Sequence, residues 1–175
     1  SSSQTLCRET IVWKQLHHHN ILPFIGVDDI TFPDKHSLIS PCMDNGNVVR
    51  YLKKHPDHNR LTCIREIAAA IEFIHSFDPR VVHGDIRGSN IIVNDAGQCC
   101  LADFGASIIV ATNLPSNNTM GHNTQWWLCP ELQEYDPTKY CQEFLPGRDI
   151  YALGCTIIEI YTLQVPFFHV PRNAV

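Results

Sequence analysis

Apolar residues recur along much of the chain at the spacing of one helix face. In the segment 61–77, apolar residues follow one another at steps of three and four positions from Ile64 to Ile74. This period places them on one side of a helix, so a core helix is predicted there. The segment 5–18 has a similar amphipathic pattern, and the long apolar stretch 149–163 is also predicted to be helical.

Shorter apolar runs, bounded by turn residues, predict strands. The runs 21–27 and 36–42 are interpreted as two adjacent strands, and the Asn-Asp-Ala-Gly turn at 94–97 predicts a hairpin between the short strands that flank it. Further short helices are predicted at 48–55, before Pro56, and at 130–135, and a polar loop is predicted at about 111–123. The order of elements indicates an α+β fold.

The composition limits the classes of protein to which the chain can belong. Its 175 residues, 44% of them hydrophobic, are enough for one buried core. A net charge of −5 without a basic stripe argues against a nucleic-acid partner. No apolar run reaches the roughly 20 residues that cross a bilayer, and the first residues lack the apolar core of a signal peptide. The chain is therefore predicted to be cytoplasmic, with no membrane segment.

Histidine and cysteine are abundant enough to raise the question of a metal site. The eight cysteines form no C-x-x-C pair and mostly lie in apolar segments, which favours reduced, buried thiols of an intracellular protein. The three consecutive histidines at 17–19 point in different directions and have no supporting carboxylate or cysteine pattern. A metal site at these histidines is the less favoured interpretation.

The stretch VVHGDIRGSNIIV carries the strongest chemical signal. His83, Asp85 and Asn90 fit the pattern H-x-D-x-x-x-x-N, which means little by itself. An Asp-Phe-Gly triplet starts at Asp103, thirteen positions after Asn90, and a Pro-Glu pair ends at Glu131, twenty-eight positions after Asp103. With this order and spacing, the sequence resembles the eukaryotic protein kinase family.

The resemblance covers nearly the whole chain, from about Leu6 to Phe168. It implies a protein kinase-like fold that consists mostly of the helical C-lobe, with an N-lobe remnant of the αC helix and two strands. In that division, residues 1–41 are the N-lobe remnant and residues 42–175 are the hinge and C-lobe. The motif HGDIRGSN together with WWLCPEL is most similar to tyrosine-kinase-like kinases of the kind found in many fungi.

The resemblance also implies a division of catalytic roles. Phosphoryl transfer depends on positioning and charge neutralisation more than on covalent chemistry. Asp85 would accept the proton of the acceptor hydroxyl, and Arg87 would contact the transferred phosphate. Asn90 and Asp103 would supply the hard oxygen ligands that Mg²⁺ prefers. The implied cofactors are ATP and Mg²⁺, and the implied partner is a protein substrate.

Other positions match the family's nucleotide-binding and structural residues. Pro41 and Met43 would lie in the hinge that reads adenine, Ile92 would lie beneath the adenine ring, and Ser40 would control access to the pocket behind it. Asp103 completes the nucleotide-binding set. The residues with an implied structural role are Glu9, His83, Phe104, Gly105, Glu131 and Asp149.

The chain departs from the family pattern in three places. The Gly-rich loop and the lysine that pairs with Glu9 would precede the first residue of this chain, and several helices would follow the last, including the usual arginine partner of Glu131. The isolated 175-residue chain is therefore expected to be a fragment of low stability and nearly inactive. Gly84 replaces the arginine that commonly binds a phosphorylated activation loop, so activity is expected not to depend on phosphorylation of that loop.

Two functions are compatible with these residues. The first is a protein kinase that transfers the γ-phosphate of ATP to Ser or Thr, with Tyr less favoured, since Thr124 resembles a threonine used by Ser/Thr kinases. The alternative is a non-catalytic pseudokinase that binds protein partners through its C-lobe. Intact Asp85, Asn90 and Asp103 favour the first function, and the missing lysine favours the second.

Overall fold

The computed structural model describes residues 2–31, 36–110, 125–133 and 145–170. The helices are α1 (Ser2–Trp13), α2 (Val48–Lys54), α3 (Arg60–His75), α4 (Pro130–Gln133) and α5 (Leu145–Thr162). The strands are β1 (Gly26–Asp28), β2 (Ser37–Ile39), β3 (Val81–Val82), β4 (Ile91–Val93), β5 (Cys99–Leu101) and β6 (Ile108–Ile109). This order of elements confirms the α+β class predicted from the sequence.

Helix α3 forms much of the core of the helical part. Its N-terminus is capped by the Asn59 side chain, which accepts hydrogen bonds from the Leu61 and Thr62 amides. Its buried face matches the predicted period, with Ile67, Ile71 and other apolar residues almost fully covered. This face packs against α5 and β5. The two long helices thus form a base on which the polar loop between β3 and β4 lies.

The strands form three antiparallel pairs, β1 with β2, β4 with β5, and β3 with β6. The predicted hairpin is present, with Ile91 opposite Leu101. Its turn is closed by Asn94, whose side-chain oxygen accepts the Ala96 and Gln98 amides, and by Gly97 at a φ of 79°. The pairing of β3 with β6 was not predicted, because two-residue strands carry almost no periodic signal.

Several predicted boundaries are wrong. Helix α1 ends at Trp13 and not at residue 18, and the Trp13 indole N–H donates 2.6 Å to the carbonyl oxygen of Leu22 as the chain turns back. In the segment 21–27 only Gly26 and the residue after it belong to β1. Pro23 has no amide hydrogen to donate to a strand partner, which explains why regular pairing starts later.

Helix α5 begins at Leu145, four residues earlier than predicted, with Pro146 in its first turn, where a missing N–H does not matter. In the part of the chain described here, no helix is both long and apolar enough to cross a membrane. The predicted polar loop at 111–123 and the end of the predicted helix 130–135 lie outside the described residues.

Candidate active site

Asp149 of α5 holds the first part of the catalytic loop, which we define as residues 83–90. Its carboxylate is fully buried and accepts hydrogen bonds from the backbone amides of His83, at 2.8 Å, and Gly84, at 2.9 Å. The His75 ring nitrogen Nε2 lies 2.9 Å from the same carboxylate. A buried carboxylate requires several such partners to be tolerated, and here they fix the loop on the helix.

Gly84 has a conformation that few other residues adopt. Its φ is 82°, and a Cβ atom at this position would lie 2.8 Å from the carbonyl oxygen of Ala106. Both facts explain why glycine stands at this position in this structure. The loop therefore passes very close to the segment after Phe104.

Asp85 and Asn90 face one another across the loop. The Asn90 side-chain amide donates to Asp85 Oδ2, at 2.8 Å, and to the Asp85 carbonyl oxygen, at 2.9 Å. The other carboxylate oxygen, Asp85 Oδ1, is buried and has no hydrogen-bonding partner among the residues that the structure describes. A carboxylate oxygen in this state can accept a hydrogen bond from a bound hydroxyl group.

His83 supports the loop from inside. The ring is fully buried, its Nδ1 accepts from the Asp85 amide at 3.2 Å, and its Nε2 lies 3.0 Å from the carbonyl oxygen of Ala102. These contacts require the tautomer that carries its proton on Nε2. Since both ring nitrogens have backbone partners, the geometry suits the structural role that the sequence implied better than that of a general base.

The Asp-Phe-Gly triplet follows β5 directly. Phe104 is fully buried, with its ring centroid 4.9 Å from that of His83 and 6.2 Å from that of Trp13 in α1. Asp103 has a left-handed backbone conformation, and its exposed side chain accepts the Gly105 amide at a long 3.4 Å. Packing of Phe104 thus turns Asp103 outward.

Glu9 lies on the same side of the site as Asp103. A Cβ atom at Gly105 would lie 3.2 Å from Glu9 Oε2 and 3.3 Å from Asp103 Oδ1, so both carboxylates border the same small space. Burial and, to a lesser extent, the charge of Asp103 raise the pKa of Glu9. Within the described ranges Glu9 forms no ion pair. Among the described residues, this side of the site therefore holds two carboxylates and no cation that pairs with them.

Arg87 lies at the outer side of the catalytic loop. Its Nε donates to Ser89 Oγ at 2.6 Å, and its guanidinium lies 5.4 Å from the centre of the Trp127 ring, as in a cation–π contact. Ser89 Oγ in turn donates to Asn90 Oδ1 at 3.1 Å. Arg87 is thus held by neighbours on both sides, one of them in the turn at 125–127.

Two segments that contain residues predicted to bind adenine meet at Asn47 and Ile92. Ile92 forms a β-bridge with Asn47, and Val93 donates its amide to the Gly46 carbonyl oxygen at 2.9 Å. Met43 accepts from the Gly46 amide at 3.0 Å, and the Met43 and Ile92 side chains both pack on the core. Pro41, half-buried, lies two residues before Met43.

Glu131 is exposed in the first turn of α4 and forms no ion pair within the residues described. Its structural role therefore stays a prediction.

The sequence analysis did not predict two residues of α5 that contact the loop. Thr156 Oγ1 donates to the Ile86 carbonyl oxygen at 3.3 Å, and Glu159 Oε2 accepts the Gly88 amide at 2.8 Å. Their polar character within an otherwise apolar buried helix face was the available signal.

The side chains present suit a magnesium ion. Asn90 and Asp103 offer the amide and carboxylate oxygens that this ion prefers, and Asp103 is exposed and interacts electrostatically with Glu9. No group of three His, Cys, Asp or Glu side chains suited to a metal occurs in the described part of the chain, the histidines at 17–19 included. A magnesium ion held by two protein ligands would depend on substrate phosphates for further ligands.

This fold and this loop define a protein kinase domain, and the protein kinase domain profile matches residues 1–174. The chain therefore belongs to the protein kinase family. Its curated relatives include a probable serine/threonine-protein kinase, samkB, of Dictyostelium discoideum, which is 29% identical over 95% of this chain and 28% of its own length.

Two further relatives are the serine/threonine-protein kinases CTR1 of Arabidopsis thaliana and TNNI3K of Mus musculus. CTR1 is 27% identical over 91% of this chain and 19% of its own length, and TNNI3K is 23% identical over 99% of this chain and 21% of its own length. These relatives agree with the predicted resemblance to tyrosine-kinase-like kinases. The chain spans less than a third of the length of each of the three proteins.

Proposed function

We propose that this chain is the core of a kinase domain that transfers the γ-phosphate of ATP to serine or threonine hydroxyls of proteins. The observation that carries the proposal is the buried Oδ1 of Asp85, which has no hydrogen-bonding partner among the described residues, together with Asn90 bonded to the other oxygen of the same carboxylate. Serine/threonine kinases among the relatives support the choice of acceptor. Tyrosine remains the less favoured acceptor.

The reaction assigns separate tasks to the residues of the loop. The acceptor hydroxyl donates a hydrogen bond to Asp85 Oδ1, which orients its oxygen toward the γ-phosphorus and accepts its proton as transfer proceeds. A bond forms between this oxygen and phosphorus while the bond to the bridging oxygen breaks, and ADP leaves. Arg87 places a fixed positive charge near the transferred phosphate.

Nucleotide binding would use residues on the other side of the loop. Met43 and Pro41 would meet the adenine edge through backbone groups, and Ile92 would support the ring from below. Asn90 and Asp103 would hold Mg²⁺. When bound, this ion neutralises charge on the phosphate oxygens.

The alternative is a pseudokinase that binds proteins through its C-lobe. Within the described ranges, Glu9 forms no ion pair. A domain of this type would retain the fold and lose transfer. In either function, the ATP chemistry and the buried free thiols of Cys63, Cys99 and Cys155 favour an intracellular protein.

The proposal can be tested by comparing three carboxylate-to-amide variants of the purified chain. Binding of a fluorescent ATP analogue is measured with MgCl₂ and with EDTA, and transfer from radiolabelled ATP to casein is measured in parallel. We expect Asp103→Asn to lose magnesium-dependent binding. Asp85→Asn should retain binding and lower transfer by about 10²- to 10⁴-fold, because it removes only the proton acceptor.

Asp95→Asn, in the exposed hairpin turn, is the matched control and should change neither quantity. Binding of ATP that requires magnesium, combined with residual transfer that is no lower in Asp85→Asn than in the unchanged chain, would favour the pseudokinase alternative. Absence of any magnesium-dependent binding would contradict the assigned nucleotide site.

A further inference from the structure

A second carboxylate of α5 contacts the far end of the catalytic loop. Glu159 lies ten residues after Asp149, which corresponds to about 15 Å along a helix. Asp149 accepts the amides at the start of the loop, and Glu159 Oε2 accepts the Gly88 amide at 2.8 Å. One rigid helix therefore fixes the loop at two separated points. Glu159 itself is only 7% exposed.

The approach of Glu159 to the loop depends on glycine at position 88. A Cβ atom there would lie 2.6 Å from Val49 Cγ2 and 2.8 Å from the Glu159 carboxylate. These distances are too short for any larger residue without movement of the loop or of α2. The backbone amide can thus reach the carboxylate because no side chain lies between them.

Glu159 also interacts electrostatically with Arg87. Burial raises the pKa of Glu159, and the Gly88 amide, the Arg87 charge and the nearby Trp127 indole each oppose this rise. The buried indole N–H approaches the carboxylate without reaching hydrogen-bonding geometry. Arg87 therefore lies over an aromatic ring and interacts electrostatically with a buried carboxylate, and both interactions restrict its position.

The contacts continue from Arg87 to the proton acceptor. Arg87 Nε donates to Ser89 Oγ, Ser89 Oγ donates to Asn90 Oδ1, and Asn90 donates to the Asp85 carboxylate. Each link is a hydrogen bond between neighbouring side chains. A shift of Arg87 would therefore change the orientation of Asn90 and of Asp85.

We propose that Glu159 is a positioning residue for phosphoryl transfer, which fixes Gly88 and Arg87 and, through Ser89 and Asn90, sets the orientation of Asp85. Trp127 completes the arrangement by covering the guanidinium of Arg87. Glu159 does not touch the reacting atoms in this role. The inference rests on the proposed kinase function, since only that function gives Asp85 a reacting partner.

The contact itself can be tested without any enzymatic activity. Nitrogen-15 NMR of the 175-residue chain reports the exchange rate of the Gly88 amide and the Arg87 Nε–H signal. Glu159→Gln keeps an oxygen acceptor for Gly88 and removes the charge that faces Arg87, while Glu159→Met removes both. Glu72→Gln, on the exposed face of α3, is the matched control.

We expect Glu159→Met to speed Gly88 exchange about ten- to hundredfold, because a hydrogen bond to a charged acceptor is lost. Glu159→Gln should broaden or shift the Arg87 Nε–H signal while Gly88 protection is largely kept. The thermal midpoint of Glu159→Gln should not fall, since the raised pKa of Glu159 means that burial opposes its charged form. Gly88 exchange and Arg87 signals that remain unchanged in both variants would overturn the proposal.

The effect on catalysis separates positioning from simple stabilisation. In casein phosphorylation, we expect Glu159→Gln to lower kcat about tenfold with the KM for ATP unchanged, because the substrate site is intact and only the loop is displaced. Trp127→Leu should lower kcat in the same manner. A normal kcat in folded Glu159→Gln would overturn the positioning role. Transfer that does not depend on Asp85 would contradict the proposed function, and the two NMR signals would still decide the contact.

Discussion

The catalytic loop is held very differently on its two sides. On the α5 side, Asp149, Thr156 and Glu159 make hydrogen bonds to four residues of the loop, and all three side chains are buried. On the opposite side, Glu9 and Asp103 place two carboxylates beside Gly105 with no cation in the described part of the chain. One side is held by hydrogen bonds to buried side chains, and the other has, among the described residues, two carboxylates without a paired cation.

The difference indicates which part of the site is built by the chain and which part needs a ligand. Hydrogen bonds to backbone amides set the shape of the loop, and they do not depend on a nucleotide. The two adjacent carboxylates repel each other, so a cation that binds near them lowers the free energy of the folded state. Hydrogen bonds within the chain therefore set the shape of the site, and a bound cation would set its charge balance.

The largest expected effect is a loss of unfolding free energy when a carboxylate is replaced by an amide. The same replacement is made on each side of the loop to test the contrast. Asp149→Asn replaces one accepting oxygen by an NH₂ group that faces backbone donors, and it removes the charge beside His75. Breaking a buried charged network of this kind costs about 3–5 kcal/mol of unfolding free energy. Asp103→Asn, exposed and weakly bonded, should change the same quantity by no more than about 0.5 kcal/mol.

Urea denaturation of both variants, followed by circular dichroism, gives the two free energies. Asparagine also tolerates the left-handed conformation of Asp103, so the comparison is not confounded by backbone strain. Equal losses in both variants would show that the two sides are not different in the manner described.

A smaller loss of stability is expected when one glycine on each side of the loop is replaced by alanine. Gly88→Ala meets Val49 and Glu159 at 2.6 and 2.8 Å and should cost about 1–3 kcal/mol through strain. Gly105→Ala meets the end of the Glu9 side chain at 3.2 Å, which can move away, so the cost should remain below about 1 kcal/mol. Thermal unfolding of the variants checks this order.

The control is Gly154→Ala in α5, where nothing lies within 4 Å of the added Cβ atom. This variant should gain roughly 0.5–1 kcal/mol from helix propensity. If Gly88→Ala were as stable as Gly154→Ala, the close approach of Glu159 to the loop would be wrong, and with it the basis of the positioning role.

The features that could be predicted from the sequence are those whose signal is local. The spacing from Asp85 to Asn90 and on to Asp103 predicted the loop, and the hairpin of β4 and β5, which the structure contains, followed from an Asx-Gly turn between two apolar runs. Spacing along the chain is sufficient for such features. The structure brings Asp85 and Asn90 into direct contact, as a shared site would require.

The features that were missed depend on contacts between distant parts of the chain. The end of α1 depends on the bond from Trp13 to Leu22, and no periodicity encodes that bond. The role of Glu159 depends on Gly88, seventy-one positions earlier, and on the absence of a side chain there. A sequence alone shows a polar residue in a buried helix and cannot indicate which group it meets.

The smallest predicted effect concerns the side of the loop that carries Glu9 and Asp103. Burial and the charge of Asp103 hold the pKa of Glu9 above its ordinary 4.5, so the folded state binds a proton more tightly than the unfolded chain. Stability from this group is complete below pH 4.5 and is lost as the pH rises through the raised pKa. Glu9→Gln should therefore increase the unfolding free energy at pH 7 by a few tenths of a kcal/mol, a value reduced by solvent screening, and leave it unchanged at pH 4.

Urea denaturation at pH 4 and at pH 7, with Glu72→Gln as the exposed control, measures this difference between the two conditions. A variant that is less stable at pH 7 than the unchanged chain would show that a cation already compensates Glu9. In that case the carboxylates on this side would already be paired with a cation, and the described difference between the two sides of the loop would be wrong. A gain confined to pH 7 would instead show that the carboxylates beside Gly105 repel each other in the chain without nucleotide.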